Sequence, residues 1–161
     1  FCKPDRGGSS PGVSITKGAD KMAEFTSTTI QTVAAGQNLP LTETAIKGSN
    51  CINHRAGAGN VTLRGLTNQC KALFKVSFGG NIAIPTGGTV GAISVALAVG
   101  GEALNSATAI VTPAAVDQYS NVFTAVFVEV PRGCCVTVAL KNTSTQAISI
   151  ANSNLIVERV A

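Results

Sequence analysis

From residue 25 onward, apolar and polar positions alternate in short runs separated by turn residues, the pattern of strands rather than helices. The runs are 25–33, 39–47, 51–55, 60–66, 70–84, 92–99, 102–111, 119–130, 134–142 and 146–160. Between them lie 34–38, 56–59, 85–88, 100–101, 131–133 and 142–145, which hold Gly, Pro, Asn and Thr. Such residues tolerate positive φ, fix φ, or bond to their own backbone, and so mark turns. No segment keeps a helical period, and 113–118 has room only for a short turn. About ten short strands at close intervals predict an all-β sandwich.

Two kinds of strand are distinguishable. In 70–84, Phe74, Val76 and Phe78 share one parity while Lys71 and Lys75 hold the other, as in a sheet with one wet face. In 119–130, by contrast, Val122, Phe123, Val126, Phe127, Val128 and Val130 are apolar at both parities, and Ile93, Val95, Leu97 and Val99 alternate with Ala96 and Ala98 in 92–99. A two-layer sandwich offers one inner face per sheet, so strands apolar on both sides need a second cover. A subunit interface supplies one, and Phe123, Val126, Phe127, Val128, Ile93 and Val95 are its candidate residues. A loop or the N-terminal segment folded over that face is the alternative. Closed symmetric homo-oligomers are common, and threefold symmetry suits a fibre on a particle.

Composition sharpens this picture. The chain has 161 residues, enough for one domain with a real core. Charged residues make up only 12% against 45% hydrophobic, so much of the surface is uncharged or covered by partners. The net charge of +4 comes from scattered Lys and Arg, and aromatics are 4% with no Trp. Nucleic-acid binding needs a basic stripe and stacking rings, and neither is present in the sequence. No apolar stretch is long enough to span a bilayer, and no secretion signal opens the sequence, so cytoplasmic synthesis without membrane insertion is expected.

Residues 1–21 contain Gly-Gly and Ser-Ser-Pro-Gly and lack alternation, which reads as a disordered leader before a module at 22–161. The sequence starts with Phe1, and its only methionine, Met22, stands just before the first strand-like run, making Met22 a candidate biological start. A flexible linker to a preceding stalk or anchor is the other reading.

The run VEVPRGCCVTVALKNT at 128–143, followed by AISIANSNLIVER at 147–159, resembles the closing strands of trimeric jelly rolls of the tumour-necrosis-factor and complement-C1q type. Its proline-glycine turn and its NTSTQ turn are similar to those of modules on phage head fibres and on collagen-like spore-surface proteins. VTLRG at 61–65, the long run from Phe74 to Ile84 and PTGGT at 85–89 resemble phage-encoded members from gut bacteria. The resemblance spans about residues 25–160 and rests on pattern rather than a catalytic motif. It implies a jelly-roll sandwich, a homotrimer, and a structural place on a virion surface as head fibre or capsid decoration, among other virion proteins and with loops available to glycans. Gly-X-Y repeats, which the spore-surface type carries, are absent from the sequence.

Few residues offer chemistry. Cys2 falls in the leader, while Cys51, Cys70, Cys134 and Cys135 belong to the module and lack the paired spacing of a zinc site. Cys51 and Cys70 bracket the segment 52–69, so a disulfide between them could lock it, and Cys134 and Cys135 are candidates for cross-linking a partner; reduced, buried thiols are the alternative. His54, the single histidine, stands beside Arg55 before a flexible turn, and the pair are candidate surface contacts. A hydrolase would join His54 to a nucleophile and to Asp117 or Glu43, but no Gly-x-Ser-x-Gly elbow is present. The carboxylates are too dispersed for calcium or glycoside cleavage, and no cofactor is expected. The location the resemblance implies is a virion surface after cytoplasmic synthesis, with a bacterial spore or cell surface as the alternative. A disulfide-linked spore or appendage subunit is the second reading, and a hydrolase on the same scaffold the third.

Overall fold

The computed structural model describes residues 22–48 and 50–161, so the expected leader at 1–21 lies outside the described residues. These contain eleven strands and no helix: β1 Met22–Ser27, β2 Gln31–Val33, β3 Glu43–Ile46, β4 Ile52–His54, β5 Val61–Arg64, β6 Lys71–Ala83, β7 Ile93–Val99, β8 Glu102–Val111, β9 Ser120–Pro131, β10 Cys135–Asn142 and β11 Ile148–Arg159. They form two antiparallel sheets. The first has the order β3-β1-β11-β6-β9, with β2 on another stretch of β11; the second has the order β4-β5-β10-β7-β8. Neighbours distant in sequence in both sheets give the crossovers of a jelly-roll sandwich, as the sequence pattern predicted.

The core lies between the sheets. Phe74, Val76 and Phe78 of β6 are fully buried, opposite Leu63 of β5 and Leu97 of β7 in one cluster with Phe25, Ile150 and Leu155. Each large side chain removed from water in this way contributes about 1.5–3 kcal/mol, which offsets the entropy of ordering so many short strands.

Two predicted runs differ from the structure for identifiable reasons. The run 25–33 is two strands, because its partner β11 carries a bulge between Ala151 and Asn154. Here β1 pairs up to Ser27 with Ser153, β2 resumes with Gln31 opposite Ile150, and the chain steps over the bulge with Ile30 exposed. Asn152, at the bulge, has a φ of 50°, a left-handed conformation that Asn tolerates better than most residues. In the run 39–47 only Glu43–Ile46 is strand, and all four residues are exposed at a sheet edge. Leu39 and Leu41 are buried without belonging to a strand; their backbone amides donate to the carbonyls of Leu140 and Ala58.

Candidate functional site

The register of the first sheet builds its outward face residue by residue. Since Phe74 faces the core opposite Val128, the alternate positions of β6 and β9 face out. One row across the strands is Phe127, Lys75, Glu158 and Met22. The next is Ala125, Ser77, Ile156, Glu24 and Ile46, and the third is Phe123, Gly79, Asn154 and Thr26. Phe123 and Phe127 are 67% and 61% exposed. Four residues apart on one strand, they stand about 13 Å apart, with the small Ala125 and Ser77 forming a trough between them. Ile156, Met22 and Ile46 are further exposed apolar residues of this face toward β3, set among the charged Lys75, Glu158 and Glu24.

Of the six candidate interface residues, the structure presents two. Phe123 and Phe127 lie on this face, whereas Val128, Ile93 and Val95 are buried in the core within one copy of the chain, and Val126 is a half-buried residue packed against it. For Val126 and Val128 the correction is one of parity, since they alternate with the outward Phe127; Ile93 and Val95, on β7 of the second sheet, belong to the core between the sheets. Ala96 and Ala98, the other face of β7, are also buried within the protomer. Below Phe123 lies a shallow cleft of about 340 Å³, lined by uncharged residues including Thr26, Gly79, Asn121, Asn152 and Asn154. Sequence reading missed it because the bulge in β11 creates it.

The cysteines gather at one end of the sandwich. The Cys51 carbonyl accepts from the Arg64 amide, Cys135 pairs with Arg64, the Gly65 amide donates to the Cys134 carbonyl, and the Cys70 carbonyl accepts from Arg132. Cys51 is buried and Cys70 half-buried, whereas Cys134 and Cys135 are exposed around the 131–134 turn.

His54 sits on the edge strand β4 with its ring 4.6 Å from that of Phe25, tilted by 46°. Its Nε2 lies 3.0 Å from the Ala58 carbonyl, which can only accept, so Nε2 carries the proton. Nδ1 is buried with no partner among the described residues. Asp117 accepts from Thr86 Oγ1 at 2.6 Å and Glu43 from Thr28 Oγ1 at 3.0 Å, so neither orients the imidazole as a triad would require. Arg55 is exposed in the following turn, where its carbonyl accepts from the Ala58 amide. Among the described residues, no cluster of His, Cys, Asp and Glu is arranged to hold a metal.

These two sheets and the single core between them form a jelly-roll sandwich similar in fold to tumour-necrosis-factor and C1q proteins. The chain is similar to Eiger TNF from S. frugiperda, with a TM-score of 0.65 and 14% identity over 88% of this chain and 92% of that one. It is also similar to the globular domain of zebrafish complement 1qA, at 0.62 and 7% over 88% and 98%, and to murine APRIL at pH 5.0, at 0.60 and 10% over 86% and 98%. No family model and no curated protein matches the chain.

Proposed function

We propose that this chain is a structural, non-enzymatic subunit of a phage virion surface, a head fibre or capsid decoration protein that forms a homotrimer and uses its loops for adhesion to glycans. The observation that carries the reading is the outward face of the first sheet, where Phe123 and Phe127 stand exposed around a trough of small residues. Two rings held apart over a shallow trough make a surface suited to a second copy of the chain, and obligate interfaces resemble a core cut in half. A charged content of only 12% agrees with a surface largely used in assembly. The particle assignment draws on the resemblance of 128–143 and 147–159 to head-fibre modules. The chain would be made in the cytoplasm and reach the virion by assembly.

The test is to raise an antibody against residues 22–161, gold-label it, and apply it to purified phage particles whose proteins have been sequenced by mass spectrometry. Label on capsids with matching peptides supports the proposal; particles lacking the chain count against it.

One observation favours a second reading. Cys134 and Cys135 are adjacent and both exposed, as thiols that cross-link subunits of a spore coat or appendage would need to be. Ladders of multimers on a non-reducing gel, collapsing with reductant, would put that reading first.

A further inference from the structure

A cavity of about 320 Å³ opens beside β3 and β4, the edges of the two sheets on the same side of the sandwich. Its lining includes Phe25 and His54, and around them Thr44, Lys47, Asn50 and Asn53. We propose that it binds the carboxylate-bearing ring of an acidic sugar. The inference deepens the adhesive half of the proposed function and rests on it.

Charge comes first. Lys47 is the single charged residue in the lining, and no carboxylate lines the cavity to neutralise it. Glu43, on the neighbouring strand, is engaged by the Thr28 hydroxyl. One ammonium matches one carboxylate. A phosphate, with more charge and more acceptor oxygens, is usually held by an Arg fork, a helix N-terminus or a nest of backbone amides, and the lining has no arginine and the described residues no helix.

Hydrogen-bonding capacity comes next. Among the described residues, the Lys47 ammonium, the Thr44 hydroxyl and the Asn50 amide engage no side-chain partner, while Asn53 spends one amide proton on the Asn50 carbonyl at 3.2 Å. Hydroxyl and carboxamide groups both donate and accept, which suits sugar hydroxyls better than a purely accepting ligand. The His54 imidazole, fixed by its Nε2–H bond to Ala58 and packed against the buried Phe25 ring, is the one ring the lining offers a ligand. A lining of amide, hydroxyl and ammonium groups beside one ring suits the hydroxyl-rich surface of a pyranose. The volume lies at the small end for ligand sites, enough for a terminal sugar residue rather than a long chain.

The test titrates the full chain with N-acetylneuraminic acid, glucuronic acid, galactose and inorganic phosphate, following the backbone amides of Asn50 and Asn53 and the His54 ring by NMR. The expected result is saturable shifts with the acidic sugars, at least tenfold weaker binding of galactose and phosphate, and at least tenfold loss in Lys47→Ala with recovery in Lys47→Arg. Asn121→Ala, in the other cleft, should bind as the wild type does. Phosphate binding as tightly as the sugars would make this an unspecific anion site, and either that result or no saturable shift overturns the proposal. A native mass measured on the same sample separates the failures: a trimer that ignores sugars refutes this inference alone, whereas a monomer that binds them refutes only the assembly.

Discussion

Phe123 stands directly opposite Gly79 across the β6–β9 pair, so no cross-strand side chain shields the ring, which is 67% exposed. Phe127, four residues along, faces Lys75 and is 61% exposed. In a chain this poor in aromatics, leaving two of its six phenylalanines in water is costly unless a partner covers them. Their placement at the β9 edge of the first sheet is the physical basis of the proposed assembly.

Replacing both rings should therefore weaken association while sparing the fold. Burial of a Phe contributes about 1.5–3 kcal/mol, so Phe123→Ser and Phe127→Ser should each weaken assembly about tenfold or more, and the double variant more strongly. Sedimentation across a concentration series reads the association, and far-ultraviolet circular dichroism should remain that of a β protein.

Asn142 is predicted to matter to the fold itself. It is 1% exposed; its amide donates to the Val33 carbonyl at 3.0 Å and the Gln146 carbonyl at 2.9 Å, and its Oδ1 accepts from the Ser144 amide at 2.9 Å. It thus ties the end of β10 to β2 and shapes the turn into β11. Asn142→Ala leaves buried partners unsatisfied and should lower the unfolding free energy by about 1–3 kcal/mol, read as a shift in urea midpoint without change in slope.

Gly65 tests the packing of the cysteine-bearing end. A Cβ there would lie 2.2 Å from the Pro131 carbonyl oxygen, a backbone atom that cannot move aside alone. The Gly65 amide also donates to Cys134, and its carbonyl accepts from Gly133. Gly65→Ala should destabilise by about 1–3 kcal/mol or more, whereas Gly91→Ala, where a Cβ would meet nothing within 4 Å, should be close to neutral in thermal melts.

Exposed thiols make a separable prediction. With Cys134 and Cys135 both at the surface, Cys134→Ser with Cys135→Ser should leave stability within about 0.5 kcal/mol of the parent. The same variant should abolish any reductant-sensitive multimers formed through these two positions, as read on a non-reducing gel.

The sandwich was legible because periods and turns are local properties. The run 102–111 coincides with β8, Glu102–Val111, and the Lys71/Lys75 parity of β6 marked its wet face correctly. What the chain could not reveal locally was which face of β9 turns inward, since both parities are apolar. Only the non-local pairing of Val128 with Phe74 sends Val128 into the core and Phe127 out. The step between β1 and β2 was equally hidden, because its cause is a bulge in β11 more than a hundred residues further along. The cavity beside His54 is lined mostly by the local stretch 44–54, and its one distant contributor is Phe25 of β1, whose ring meets that of His54. Sequence reading singled out His54 but gave no sign of its neighbours.

The most direct test of the assembly is the native mass of the full chain, measured by light scattering or native mass spectrometry with and without reductant. The account predicts three copies in both conditions. A stable monomer at micromolar concentration, with Phe123 and Phe127 left in water, would contradict it.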